Sequence, residues 1–398
     1  MIVPQQPARF MSNWRLPEYF SDVLPREAAV IEHLRRACLD AAKGYGYALV
    51  MPPLLEFVDS LLSGTGQDLD LQTFKLVDQI SGRALGLRAD MTPQAARIDS
   101  HLLNQEGVTR VCYCGSAVRT HPEGVHASRE ILQFGAELYG HAGLEADLEV
   151  QRLSLDCLRL AGVDQAALDL ADNRIVRGLL SGLLLGSEAM ESILDALANK
   201  DAGELRLLTR DCAPAQRAAI LALPELYGDA AVLLEARRAL PQHALILKAL
   251  DDLSALADYH EQQGSQVQID LADMRGYRYH SGVIFSVYAR GYANAVARGG
   301  RYDEVGASFG RPRAATGFSM DLREVAGFAT APQARSAIVA EWSMAPGLTE
   351  AVADLRRRGE TVVQLPPDQA SDSREFRRHL VLRAGTWLVE DRNGSSQV

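Results

Sequence analysis

One predicted strand, from Arg129 to Tyr139, carries polar side chains on one face and apolar side chains on the other. Because successive side chains of a strand alternate between faces, Gln133 and Glu137 share the polar face, and Gly135 between them leaves room above it. An amide, a carboxylate and open space on a sheet are what a polar ligand requires. The alternative is a solvated sheet face, which is common in antiparallel proteins and equally compatible with this strand alone.

Three further segments combine residue types found in ligand sites. RADMT, residues 88–92, places an Asp and a Thr where a strand ends and a helix begins, although helix capping is the commoner role of such residues. MRGYRYHSGVIF, residues 274–285, gathers Arg, Tyr and His side chains around two glycines, which indicates either a backbone kept open for a ligand or a Gly-rich hairpin. ARGGRYDEVG, residues 297–306, is by itself a weak turn signal.

Hydrophobic periodicity predicts the strands and helices that must position these segments. Up to residue 139, it predicts helices over 26–43 and 92–104, a strand over 45–56 broken by a double proline, a hairpin over 74–87, and strands over 110–118 and 129–139. Leu and Ala at helical spacing then indicate a helical insertion. Strands return over 267–274 and 282–289, followed by a Gly-rich turn over 297–306 and a helix from about Met320.

The end of the chain alternates between the two patterns, with strands over 337–342, 361–365 and 386–390, a helix over 348–358 and a second helix before the last strand. The predicted organisation is a core in two parts, residues 1–171 and 264–328, which flank a helical insertion over 172–263, with a small C-terminal α/β domain over 329–398.

Composition restricts the functional class. The 398 residues carry a net charge of -10, which disfavours binding nucleic acid through bulk charge, and the hydrophobic share of 47% is that of a globular protein. Neither a secretory signal nor an apolar run of bilayer length is visible, so we expect a cytoplasmic protein with no membrane partner. The five cysteines form no CxxC pair. We therefore expect no metal and no cofactor, and we place Cys112 and Cys114 in the core.

Taken in order, these segments resemble histidyl-tRNA synthetase, a class II aminoacyl-tRNA synthetase, over roughly residues 12–325. The matching segments are the dimer-forming first motif at 45–56, RADMT, the second motif from 119 through 137, and two histidine-specific signatures at 275–282 and 299–303. The resemblance implies an α+β fold with a class II synthetase-like antiparallel sheet flanked by helices. It also implies a homodimer formed through the first motif.

The resemblance further implies a histidine pocket. Asp90 and Thr92 would lie near the ammonium group of histidine, and Gln133 and Glu137 would continue that polar floor. The remaining positions are Arg119 and Arg275 on the carboxylate side, and Tyr279, His280 and Tyr302 around the imidazole. The family has a second Tyr where this chain has His280, and Thr where it has Ser281.

The ATP motifs depart from the family pattern. His121 stands where the synthetases have an acidic residue, and Glu324 stands where an Arg grips the triphosphate. Arg323 lies one position early, and one residue turns a helical side chain by about 100°. At about 4 Å and an effective dielectric near 20, a like-charge contact costs on the order of 4 kcal/mol. We therefore expect ATP chemistry to be lost.

A retained amino-acid pocket beside eroded ATP motifs is similar to the regulatory subunits of ATP phosphoribosyltransferase. That resemblance implies a non-catalytic partner of a short-form catalytic subunit, required for the first step of histidine biosynthesis and involved in histidine feedback, with no tRNA ligand. The alternatives are an active histidyl-tRNA synthetase and a free-standing amino-acid sensor. Histidine-dependent exchange between ATP and pyrophosphate would favour the synthetase.

Overall fold

A computed structural model describes residues 15–63, 67–124, 127–181, 183, 186–274, 276–277, 279–330, 336–366 and 376–391. The chain forms two compact units, residues 1–331 and 332–398. Among the described residues, no helix combines the length and the apolar character needed to cross a bilayer.

The helices of the first unit flank its sheets and fill most of residues 172–263. They are α1 Pro25–Gly44, α2 Val58–Leu61, α3 Gln67–Gln72, α4 Thr92–Arg97, α5 Leu144–Leu160, α6 Asn173–Leu180, α7 Ser187–Ala198, α8 Ala202–Leu208, α9 Pro214–Ala222, α10 Val232–Ala239, α11 Ala244–Gln262, α12 Val305–Ser308 and α13 Leu322–Val325. A π-helix, Ile98–Leu103, continues α4, and a 3-10 turn, Leu223–Glu225, follows α9.

The strands of the first unit form two sheets. They are β1 Ala48–Leu49, β2 Leu55–Phe57, β3 Lys75–Val77, β4 Ala84–Leu87, β5 Thr109–Val118, β6 Glu130–Tyr139, β7 Ala166–Asp172, β8 Tyr227–Gly228, β9 Gln266–Asp270, β10 Val283–Ala289, β11 Ala295–Arg301 and β12 Ala315–Asp321. In the described part of the chain, the large sheet has the order β1-β5-β6-β12-β11-β10-β7-β9-β8, and the small sheet has the order β2-β4-β3.

The large sheet is mostly antiparallel, as the sequence predicts, but β1 pairs with β5 and β7 with β9 in parallel. The α+β class is therefore confirmed with a mixed sheet. Pro52 and Pro53 lie between β1 and β2, outside both strands, which is the break that the double proline predicts. The segment predicted as a purely helical insertion also contributes β8 to the edge of the sheet.

Helix α1 shows how hydrophobic periodicity in the sequence predicts the face of a helix that packs in the core. Its buried residues recur every three or four positions, beginning with Val30 and Ile31, and Pro25 starts the first turn, where its missing N–H costs nothing. The helix ends at Gly44 as predicted, while the left-handed residue that turns the chain away is Gly46, with φ 88°.

One face of the large sheet packs on α1 and α5. Phe134, Ala136 and Leu138 of β6 share a buried cluster with apolar residues of both helices, which confirms the predicted apolar face. Cys112 and Cys114 of β5 lie against the same cluster, and burial raises their pKa to about 11 and about 12. Both thiols are therefore protonated core groups, as predicted.

Two predictions in the second half of the core are wrong. The segment over 297–306 was expected to be a Gly-rich turn, but Ala295–Arg301 forms β11 between β10 and β12. A Cβ at Gly299 would lie 2.3 Å from the carbonyl oxygen of Gly317 on the neighbouring strand, so this strand needs a glycine there for close packing. The helix expected from Met320 begins at Leu322, because β12 runs to Asp321.

The second unit contains a four-stranded sheet with the order β14-β13-β15-β16 and one described helix. Its elements are β13 Ile338–Glu341, α14 Leu348–Arg357, β14 Val362–Leu365, β15 Arg378–Arg383 and β16 Thr386–Asp391. The helix predicted before the last strand has no stated bounds, and residues 367–375, where it could lie, are outside the described residues, whereas β15 is a strand that the sequence analysis did not predict.

Candidate functional site

A cavity of about 740 Å³ opens on the face of the large sheet opposite α1 and α5. Eight of the nine residues predicted for the histidine pocket line it: Asp90, Thr92, Arg119, Gln133, Glu137, Tyr279, His280 and Tyr302. The ninth, Arg275, lies outside the described residues. Residues far apart in the sequence therefore converge on one concave surface.

Glu137 lies at the buried floor of the cavity with 1% of its surface exposed. Its carboxyl group accepts hydrogen bonds from the hydroxyls of Tyr302 and Tyr113, the latter at 2.7 Å. Burial raises the pKa of Glu137 to about 8, and repulsion from Asp90 adds to the rise, although the two tyrosine hydrogen bonds oppose it. The floor of the cavity thus holds a carboxyl group that is mostly protonated at pH 7.

Tyr113 is a site residue that the sequence reasoning missed. Its hydroxyl lies 2.9 Å from that of Thr92, and its ring lies over Gly135, where a Cβ would meet the Tyr113 hydroxyl at 2.4 Å. The room that Gly135 was expected to leave for a ligand is therefore filled by Tyr113. A Cβ at Gly317 would likewise lie 1.6 Å from a Glu137 carboxyl oxygen, so the glycines make space for protein groups.

Gln133 connects the sheet to the start of α4. Its amide nitrogen donates to Asp90 at 2.8 Å, and its amide oxygen accepts from the backbone N–H of Met91 at 2.9 Å. The same Asp90 oxygen accepts from the backbone N–H of Thr92 at 2.9 Å. The N-cap of α4 is Met91, so neither Asp90 nor Thr92 is the helix cap, but the Asp90 carboxyl group bonds the first helical residue and lines the cavity.

Three aromatic rings form one wall of the cavity. Tyr279 stacks on Tyr302 with ring centroids 5.1 Å apart, and His280 meets Tyr279 edge to face at 5.3 Å. Burial lowers the pKa of His280 to about 4, so its ring is neutral at pH 7. The buried hydroxyl of Tyr279 has no hydrogen-bond partner among the described residues. A polar ligand in the cavity can supply that partner.

Arg119, predicted on the carboxylate side, is already committed to protein groups. One guanidinium nitrogen lies 2.6 Å from a carboxyl oxygen of Glu123, and Nε donates to the carbonyl of Ala89 at 3.4 Å. Glu123 also lines the cavity. Arg119 therefore lies in the site, but its guanidinium group is already paired with the carboxylate of Glu123.

The side of the cavity that corresponds to the ATP motifs is lined by Glu324, which accepts a hydrogen bond from Tyr292 at 2.6 Å. The Arg323 guanidinium donates to the carbonyls of Ser21 at 2.8 Å and Glu130 at 3.1 Å, so it does not replace the missing Arg. His121 is exposed and contacts Thr120. A carboxylate therefore stands where phosphate groups need a positive charge.

The sheet and its cavity define a class II synthetase-like protein of the histidyl type. The histidyl-tRNA synthetase family model matches residues 19–325, and the model for the C-terminal domain of ATP phosphoribosyltransferase subunit HisZ matches residues 335–390. The second match assigns the small α/β domain to the family of HisZ C-terminal domains.

Relatives over the whole chain are more specific. ATP phosphoribosyltransferase regulatory subunits of Paraburkholderia xenovorans and Acidovorax sp. are each 56% identical, over 384 and 382 residues, with 96% of this chain and 100% of each relative covered. The chain belongs to the family of ATP phosphoribosyltransferase regulatory subunits. Its role is that of a regulatory subunit and not that of a catalytic histidyl-tRNA synthetase.

Solved structures agree with this placement. A Bacillus halodurans protein described as an ATP phosphoribosyltransferase regulatory subunit/histidyl-tRNA synthetase has a TM-score of 0.78 at 25% identity, covering 93% of this chain and 97% of that one. Histidyl-tRNA synthetase from Nostoc sp. PCC 7120 has a TM-score of 0.73 at 18% identity, covering 95% and 97%, which shows the shared fold alone.

Proposed function

We propose that this chain assembles in the cytoplasm with a short-form ATP phosphoribosyltransferase catalytic subunit, activates it, and binds histidine in the cavity so that histidine controls the complex. The regulatory subunits to which it is similar support the partner. Histidine can regulate only to the extent that it binds the active and inhibited states of the complex differently. We propose no tRNA ligand, in keeping with the net charge of -10.

The observation that supports histidine as the ligand is the mixture of groups around the cavity. Glu137 and Asp90 offer carboxyl groups for a cationic ligand. The neutral ring of His280 and the Tyr279 hydroxyl, which has no hydrogen-bond partner among the described residues, suit an imidazole. The cavity of about 740 Å³ is concave and largely preformed, as amino-acid sites are.

The test of this proposal is reconstitution. Purified chain added to a short-form catalytic subunit is expected to restore formation of phosphoribosyl-ATP, and histidine is expected to inhibit the reconstituted activity. The same catalytic subunit without this chain provides the control. If the chain binds histidine but restores no activity, the free-standing sensor is the better description.

We also propose that the chain forms a homodimer through its first motif. Several apolar side chains of that motif and the neighbouring hairpin are exposed in the single chain: Leu49, Met51, Leu54, Leu55, Leu76, Val77 and Ile80. Met51 is 83% exposed and Ile80 is 97% exposed, so both side chains leave most of their apolar surface in water in the single chain. A concentrated apolar surface of this kind is typical of an interface between protein chains.

Met51→Asp is expected to shift the dimer towards monomer, because a two-fold interface places the new charge twice and buries it without a partner. Sedimentation equilibrium should then find the 43.4 kDa chain mass where the unchanged chain gives twice that value. Leu207→Asp is the matched control, since Leu207 is 65% exposed on α8, outside the first motif. Equal association of both variants would contradict the proposed interface.

A further inference from the structure

One guanidinium group that lines the cavity was not among the residues predicted for the histidine pocket. Arg298 of β11 lines the cavity and is exposed to it. It forms no hydrogen bond and no ion pair with any part of the chain that the structure describes. The sequence reasoning treated this residue only as part of a weak turn signal.

The sheet register places Arg298 beside the amino-acid groups. Arg298 lies directly opposite Ser319 of β12, and Ser319 lies opposite Gly135 of β6, between Gln133 and Glu137. Neighbouring strands are about 4.8 Å apart, so two steps put the Arg298 backbone roughly 10 Å from that of Gly135. A long side chain on this face can therefore reach a ligand that rests on Gln133 and Glu137.

The neighbours of Arg298 on the adjacent strands add hydroxyl groups that can bind an oxyanion. Ser286 of β10 and Ser319 of β12 are its cross-strand partners, and both line the cavity. Cross-strand side chains on one face lie within contact distance of each other. Two hydroxyl groups beside a guanidinium form a donor set suited to a carboxylate or a phosphate.

The other described guanidinium groups of the cavity are already engaged. Arg119 pairs with Glu123 at 2.6 Å, and Arg323 donates to the backbone carbonyls of Ser21 and Glu130. The cavity also carries many carboxylates, among them Asp90 and Glu324. A ligand with several phosphates would meet more negative than positive charge here, whereas a single carboxylate needs one free arginine.

We propose that Arg298 binds the α-carboxylate of the amino acid in this cavity and sets its specificity for a carboxylate-bearing ligand. This inference rests on the proposed histidine site and replaces Arg119 in the predicted role. Arg119 then serves to hold Glu123 at the rim. The charge-assisted hydrogen bonds between a guanidinium and a carboxylate are among the strongest that a ligand can form.

Calorimetric titration of the full chain with L-histidine and with L-histidinol tests the proposal. Histidinol keeps the ammonium and imidazole groups and has an alcohol in place of the carboxylate. The unchanged chain is expected to prefer histidine by roughly 10- to 100-fold, and Arg298→Gln is expected to reduce that preference to within about 3-fold. Arg298→Lys should retain part of it, because the positive charge remains.

Two further variants, one matched control and one competing residue, show whether the preference for histidine depends on Arg298. Arg290→Gln, on the same hairpin and hydrogen-bonded to Gln165 away from the cavity, should keep the full preference. Arg119→Gln tests the competing assignment, because Arg119 is the residue predicted on the carboxylate side. If Arg119→Gln loses the preference and Arg298→Gln keeps it, the role belongs to Arg119 and the proposal is wrong.

Further outcomes separate this inference from the function on which it rests. If the unchanged chain binds neither ligand, the proposed histidine site and the role of Arg298 both fall. If it prefers histidine and Arg298→Gln keeps the same preference, only the role of Arg298 falls. Titration with AMP adds a last arm: loss of AMP binding in Arg298→Gln with the histidine preference intact would assign Arg298 to a phosphate group and overturn the proposal.

Discussion

Glu137→Gln is expected to weaken histidine binding by about 10- to 100-fold and to shift histidine inhibition of the reconstituted complex by the same factor. The carboxyl group lies at the floor of the cavity, between the hydroxyls of Tyr113 and Tyr302. Gln has nearly the same shape, so the loss reports the charge and not the packing. Calorimetric titration with L-histidine measures the change directly.

The same binding reaction should release a proton. Among the protein groups around it, Glu137 has a pKa of about 8, so the carboxyl group is mostly protonated at pH 7.5. A cationic ligand favours the carboxylate, and stabilising that form drives the proton off. Histidine affinity should therefore rise as the pH is raised towards 8. At pH 7.5, histidine binding should therefore be accompanied by measurable proton release from Glu137.

Titrations in two buffers with different ionisation enthalpies count that proton. Glu137→Gln should release none from this position, and Glu145→Gln should behave as the unchanged chain, because Glu145 is 79% exposed at the start of α5 and outside the cavity. A heat of binding that does not depend on the buffer would show that Glu137 stays protonated when histidine binds.

Only two of the nine predicted cavity residues, Gln133 and Glu137, follow from a local rule, and the other seven were implied by the resemblance to histidyl-tRNA synthetase. Alternation along β6 is enough to send Gln133 and Glu137 to one face and Phe134 to the other. The same rule, applied to β5, would have placed Tyr113 on the same face of the sheet as Gln133 and Glu137 once its neighbours Cys112 and Cys114 were assigned to the core. The signal was present for Tyr113 and was not used.

Contacts between strands could not be predicted in the same way, because they depend on register. That Tyr113 covers Gly135 and that Arg298 stands opposite Ser319 follow from how distant segments align. Strand β11 was missed because its two glycines interrupt the hydrophobic pattern. Glycine there reflects close packing between strands and not a turn.

Arg301→Ala is expected to lower the free energy of unfolding of the first unit by about 3–5 kcal/mol, because it leaves a buried carboxylate without its partner. Arg301 of β11 donates to Asp147 of α5 at 2.7 and 3.1 Å, and only 9% and 4% of the two side chains are exposed. Arg301 also donates to the carbonyls of His141 and Gly143. Urea denaturation followed by far-UV circular dichroism measures the loss. Tryptophan fluorescence is less suitable, because the described tryptophans, Trp342 and Trp387, lie in the second unit.

The pH dependence of this loss identifies its cause. Burial raises the pKa of Asp147, and Arg301 opposes that rise. Without Arg301, the folded state favours protonated Asp147, so the stability deficit should be smaller at pH 5 than at pH 8. Arg298→Ala, three positions earlier on the same strand, should change stability by no more than about 0.5 kcal/mol, because its side chain is exposed. Equal losses in the two variants would mean that the ion pair with Asp147 contributes nothing beyond the packing of an arginine side chain on β11.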